Sequence, residues 1–132
     1  MSVVRANPIR LLLVDDHEVV RVGLRTVLHN NQGIAVVGEA GTKAAAVRAV
    51  NRLKPDIVLM DVRLPDGSGV EASRDILARH PATRIIFLTS YADDDSALAC
   101  VLAGAQGYVL KNIDSDFLIR SIRAVSNGQS IL

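Results

Sequence analysis

The sequence predicts an α/β fold in which five strands alternate with five helices in a doubly wound, three-layer sandwich. Three observations carry this. Short runs rich in Val, Ile and Leu recur along the whole chain, and three of them are nearly continuous, as strands covered on both faces should be. Segments with apolar residues at helical spacing lie between those runs. The connections are short, which favours right-handed parallel crossovers within one five-stranded sheet.

The first strand is expected at 9–14 and the first helix follows, with Val20, Leu24, Val27 and Leu28 on one face. The second strand spans 35–40, and Ala46, Val47, Val50 and Leu53 give the second helix its apolar face. The third strand, 57–61, leads through a loop built from Pro65 and Asp66-Gly67, residues that form turns. A third helix runs from about Gly69 to His80; its periodicity is weaker, but Gly67-Ser68-Gly69 and Pro81 bracket it. The fourth strand, 84–88, precedes a helix whose apolar face is read as Ala97, Val101 and Leu102, ending at Gly104. The fifth strand, 107–110, precedes a last helix capped by Asp114-Ser115, with Leu118, Ile122 and Val125 inward and Gly128 beyond its end. Residues 1–8 read as a loose tail, and a linker to a further domain would begin after about 128.

Composition bounds the function. A chain of 132 residues is the size of one domain, and 49% hydrophobic with 22% charged residues describes a folded globular one. A net charge of +1 with no Lys/Arg block argues against nucleic-acid binding by this segment alone. The single cysteine, Cys100, sits in an apolar stretch and reads as a buried structural thiol. No run is long enough to span a membrane and no signal-peptide core is present, so the expected location is cytoplasmic.

The chemistry is expected at the carboxyl edge of the sheet, where open α/β folds bind ligands. Asp15 and Asp16 follow the first strand directly and Asp61 closes the third. Adjacent carboxylates repel one another unless a cation compensates. One such Asp would ordinarily cap a helix, but three at two strand ends point to a hard divalent ion, for which Mg²⁺ is suited. Asp61 could ligate that ion, act as a base or attack phosphorus as a nucleophile. Thr89 and Ser90 follow the fourth strand, where a hydroxyl and a backbone N–H can donate to an anionic oxygen. Lys111 follows the fifth strand and would aim a compact positive charge at the same edge. Tyr108, one of four aromatic residues, reads as half-buried with its hydroxyl at the rim, in reach of Thr89. His17 follows the acid pair, but no cysteine or histidine spacing supports a transition-metal site, and His29 and His80 read as solvated helix-end residues.

The ordered set Asp15-Asp16, Asp61, Thr89 and Lys111, each at a strand end, resembles the receiver domain of bacterial response regulators. The segments Leu13-Val14-Asp15-Asp16-His17, Asp61-Val62-Arg63-Leu64-Pro65-Asp66-Gly67 and Gly104-Ala105-Gln106-Gly107-Tyr108-Val109-Leu110-Lys111 are similar to its NarL/LuxR-type branch. The resemblance implies one receiver domain over 1–132 with the flavodoxin-like, CheY-like strand order 2-1-3-4-5, and a helix-turn-helix output domain in the intact protein. It implies that Asp61 accepts a phosphoryl group from a sensor histidine kinase. Asp15, Asp16, Asp61 and the backbone carbonyl of Arg63 would bind Mg²⁺, while Thr89, Ser90 and Lys111 would hold the phosphoryl group. Tyr108 would follow Thr89 as a rotameric switch. The last helix, fourth helix and fifth strand would form a surface controlling homodimerisation, and DNA would be bound only through the output domain. Such a protein is a switch that catalyses only its own phosphorylation and dephosphorylation, with no membrane partner. Many receivers carry a cis proline after the lysine; Asn112 stands there, and a cis bond at a non-proline residue costs about 3 kcal/mol, so a trans bond is expected. The rival enzyme reading is an Mg²⁺-dependent phosphohydrolase with an aspartyl nucleophile, which is weakened by Arg63 standing where such enzymes have a second acid. A nucleotide-binding fold fares worst, because no glycine-rich turn follows the first strand.

Overall fold

The computed structural model describes residues 7–90, 94–112 and 114–131. Most of the expected tail, Tyr91, and the last residue of the chain lie outside them. In chain order the elements are β1 (Ile9–Val14), α1 (Glu18–His29), β2 (Ile34–Ala40), α2 (Lys43–Leu53), β3 (Ile57–Asp61), β4 (Arg63–Leu64), β5 (Gly67–Ser68), α3 (Gly69–Arg79), β6 (Arg84–Thr89), α4 (Asp94–Leu102), β7 (Gly107–Leu110) and α5 (Ser115–Ser126). Five strands form one parallel sheet in the order β2-β1-β3-β6-β7, which is the expected 2-1-3-4-5 once the short pair is set aside. The two-residue strands β4 and β5 form a separate antiparallel hairpin where the sequence showed only a tight loop.

Strand alternation divides the core. Leu12, Val14, Val58, Met60 and Phe87 pack against α2, α3 and α4, whereas Leu11, Leu13, Leu59, Leu88 and Val109 pack against α1 and α5. Both faces of the central strands are therefore sealed, which explains their unbroken apolar runs. Helix boundaries follow local chemistry. Thr42 caps α2 by accepting from Ala45 N–H, Ser68 and Glu71 form a reciprocal capping box on α3, and Asp114 accepts from Phe117 N–H at α5. Gly104 and Gly128 take φ of +93° and +91° just past α4 and α5, a conformation costly for any residue with a Cβ.

One expected face is wrong. Helix α4 turns Cys100 inward, with Ala103 just beyond its end also buried, and leaves Val101 and Leu102 exposed. The helix is apolar on several sides, so spacing alone did not identify the side that packs. No cis peptide occurs among the described residues, so Lys111–Asn112 is trans as expected. Among the described residues no helix is long and apolar enough to cross a membrane.

Candidate functional site

Parallel register brings the site residues level with one another. Val14 pairs with Met60, so Asp15 follows β1 opposite Asp61 at the end of β3. Asp61 pairs with Leu88, and Thr89 is the next residue of β6. Thr89 pairs with Leu110, and Lys111 is the next residue after β7. Four strand ends from distant parts of the chain thus meet at one edge.

A lysine ties the two buried acids together. Lys111 Nζ donates to Asp15 Oδ2 at 2.6 Å and to Asp61 Oδ2 at 3.1 Å. Asp15 is 3% exposed and Asp61 8%, so both carboxylates have lost most of their hydration. Burial acts to raise the pKa of Asp15, but hydrogen bonds from Lys111 Nζ and from His17 outweigh it and hold the carboxyl below its ordinary range. At Asp61 burial prevails over the attraction of the more distant lysine, and the nearby charge of Asp15 adds to it, so its pKa is raised. Burial alone would lower the Lys111 pKa; the two carboxylates reverse that and raise it.

The expected residues converge except Tyr108, with Asp15 joined to the others through Lys111 rather than lining the cleft itself. Asp16, Asp61, Arg63, Thr89, Ser90 and Lys111 line a cleft of about 490 Å³. Thr89 is buried at its wall and Ser90 is exposed at its mouth. Tyr108 is half-buried and packs against the core on the α2–α3–α4 side, in register with Phe87; it does not line the cleft. It lies on the same sheet face as Thr89, two residues before Thr89's partner Leu110.

Sequence reasoning undervalued two residues. His17 Nδ1 lies 2.9 Å from Asp15 Oδ1 and 3.1 Å from Asp16 Oδ1, and its backbone N–H also donates to Asp15 Oδ1. The Arg21 guanidinium donates to the carbonyl of Asp15 and pairs with Glu39 on β2, bracing the end of β1 from the side. The available signal was the i, i+4 placement of Arg21 after His17, which sets Arg21 one turn into α1 from its N-cap residue His17.

The donor set fits a hard divalent ion. Ligand atoms of Asp15, Asp16, His17 and Asp61 all lie within 4.8 Å of one another, and three of the four are carboxylates. Mg²⁺ is held by one or two carboxylates together with water and phosphate oxygens, and a cleft beside these acids leaves room for both.

Comparison with known proteins agrees with this geometry. Residues 11–123 match the family described as the response regulator receiver domain. The chain is 48% identical over 124 residues to the DNA-binding transcriptional activator DevR/DosR of Mycobacterium tuberculosis, covering 94% of this chain and 57% of that protein. It is 34% identical over 125 residues to the transcriptional regulatory protein DegU of Brevibacillus brevis, covering 95% and 53%. The chain therefore spans a little over half the length of these curated relatives. Among solved structures, a LuxR-family two-component response regulator from Aurantimonas sp. SI85-9A1 superposes with a TM-score of 0.91 at 39% identity, covering 96% of this chain and 90% of that one. The isolated REC domain of RcsB from Salmonella enterica serovar Typhimurium, solved in the presence of the phosphomimetic BeF3-, gives 0.87 at 25% identity over 95% and 93%. With strand order, acidic strand ends and the bridging lysine in agreement, the chain belongs to the response regulator receiver domain family of two-component systems, on its NarL/LuxR-type branch.

Proposed function

We propose that Asp61 is the phosphoacceptor of this receiver, taking a phosphoryl group from a phosphohistidine on a sensor kinase in the cytoplasm. One observation carries the reading: Asp61 opens onto the cleft with its carboxylate 3.1 Å from Lys111 Nζ and within reach of the Asp15 and Asp16 carboxylates. A carboxylate oxygen of Asp61 attacks phosphorus, the phosphorus–nitrogen bond breaks, and the imidazole departs with its electron pair. Asp15, Asp16, Asp61 and the Arg63 carbonyl would hold Mg²⁺, which would supply positive charge beside the phosphoryl oxygens. Lys111 turns its ammonium from the paired carboxylates toward the transferred group and stabilises the charge developing there. The Thr89 hydroxyl and the Ser90 N–H donate to its remaining oxygens, and movement of Thr89 is passed along the shared sheet face to Tyr108. The aspartyl phosphohydrolase reading is not favoured, since the position of its second acid is held by Arg63, whose side chain is exposed.

The output surface is proposed on α4, β7 and α5. Leu98 is 59% exposed, Leu102 72% and Phe117 44%, three large apolar side chains on the two helices flanking the switch strand. Phosphorylation would expose or align this surface for homodimerisation, and an output domain in the intact protein would bind DNA. The test of the chemistry is direct. Incubation with Mg²⁺ and a small acyl-phosphate donor should add one phosphoryl group by intact mass, and Asp61→Asn should abolish the addition. Unchanged uptake in that variant would refute Asp61 as acceptor.

A further inference from the structure

The hairpin that carries Arg63 is fastened at its tip to a different helix. Its strands pair Arg63 with Ser68 and Leu64 with Gly67, leaving Pro65 and Asp66 as the turn. The Asp66 carboxylate reaches across to α2, accepting from Lys43 N–H at 2.7 Å through Oδ1 and from Ala44 N–H at 3.0 Å through Oδ2. These are two of the orphan donors at a helix N-terminus; the third, Ala45 N–H, is taken by Thr42 Oγ1 at 3.0 Å. The first turn of α2 is thus satisfied partly from within and partly by a carboxylate 23 residues downstream of Lys43. Those two N–H bonds hold the Asp66 pKa below its ordinary value, so the acceptor is charged at neutral pH and favourably placed at the positive end of α2. Lys43 completes the attachment, its ammonium 3.5 Å from Glu71 of the capping box that closes the hairpin stem onto α3.

We infer that Asp66 is a positioning residue for the acid site: by latching the hairpin tip to α2 it fixes the backbone at Arg63 and so sets the affinity for Mg²⁺. This deepens the proposed function and rests on the acid site binding that ion. The mechanical reason is the length of the lever. The hairpin leaves the sheet directly after Asp61, and Arg63 N–H lies a long 3.4 Å from Asp61 Oδ1, a weak local restraint. Two N–H bonds to a charged carboxylate at the far end are the stronger hold on the tip. Without them the tip loses its anchor to α2, and the backbone at Arg63 is held by the stem alone, through the 2.7 Å bond from Gly69 N–H to the Val62 carbonyl and the β4–β5 pairing.

The test measures Mg²⁺ binding by titration calorimetry on the whole chain, alongside thermal unfolding of each variant. Asp66→Ala is expected to weaken Mg²⁺ binding about tenfold, the scale at which groups orienting metal ligands act, with phosphoryl uptake at saturating Mg²⁺ near the unmodified rate. Asp66→Asn keeps an oxygen acceptor and should recover part of the loss. Thr42→Ala removes the helix's own cap without touching the hairpin, and should destabilise α2 while leaving Mg²⁺ affinity unchanged. Folded Asp66 variants with unchanged affinity overturn the latch, as does a Thr42→Ala loss equal to that of Asp66→Ala. An unmodified chain that takes up no Mg²⁺ overturns the acid-site reading, and the latch with it.

Discussion

At the scale of single residues, two aspartates a few ångströms apart respond oppositely to burial because they share one lysine unequally and only Asp15 is also bonded by His17. The 2.6 Å contact to Asp15, joined by two hydrogen bonds from His17, overcomes desolvation; the 3.1 Å contact to Asp61, opposed by the charge of Asp15, does not. The signs differ accordingly in stability. Asp15, with its folded pKa lowered, contributes stability present above its ordinary value of 3.8 and lost as pH falls through the folded value. Asp61, with its folded pKa raised, contributes stability present below 3.8 and lost as pH rises through its folded value. An ionised Asp61 therefore works against folding, in keeping with its proposed role as phosphoacceptor. Asp61→Asn should raise the urea midpoint at pH 7, and the advantage over the unmodified protein should shrink on acidification toward pH 4. A variant less stable than the parent at pH 7 contradicts this. Lys111→Met strips the cation from both carboxylates and should cost about 3 kcal/mol, since an unpaired buried charge remains.

At the scale of elements, the junction from β3 into the hairpin and α3 decides how Asp61 is held. A Cβ on Gly69 would lie 2.0 Å from the Asp61 carbonyl oxygen and 2.8 Å from Met60 Cγ, so only glycine lets α3 start against the end of β3. Gly69→Ala should cost at least about 2 kcal/mol, by urea unfolding, because backbone must move. Ser68→Ala removes only one half of a capping box and should cost about 1 kcal/mol, so the order of the two variants is the check. This junction also shows what was legible in the sequence. Helices α1, α2 and α5 were readable because one face is apolar and the other polar, and strand ends were readable because an acid or lysine interrupts an apolar run. The hairpin was not, since two-residue strands carry no periodicity. The inward face of α4 was not, since exposed Leu98 and Leu102 are as apolar as buried Cys100 and Ala103. The convergence of three acids and a lysine followed from strand ends alone. Which acid the lysine grips harder, and the bracing by His17 and Arg21, depend on side-chain rotamers that one-dimensional spacing does not encode.

At the scale of the whole molecule, the acid site joins β1 and β3 directly and reaches β6 and β7 through Thr89 and Lys111. These strands share both cores, so the site cannot open widely without disturbing the packing of all five helices. Ligand binding at such a place should therefore register in global unfolding. A ligand that binds only the native state stabilises by mass action, about 2.7 kcal/mol when present at one hundred times its dissociation constant. Thermal unfolding with increasing Mg²⁺ should accordingly show a single transition moving upward with the logarithm of concentration. Asp15→Asn should flatten that dependence by removing one carboxylate donor, and Asp61→Asn should do the same, although the second starts from a higher baseline at neutral pH. The two variants thus separate electrostatic relief from ion binding: one parameter is the midpoint without Mg²⁺, the other its slope. If both variants kept the parental slope, Mg²⁺ would be stabilising the protein from elsewhere on its surface, and the acids at the strand ends would be a structural ion pair with Lys111 and nothing more.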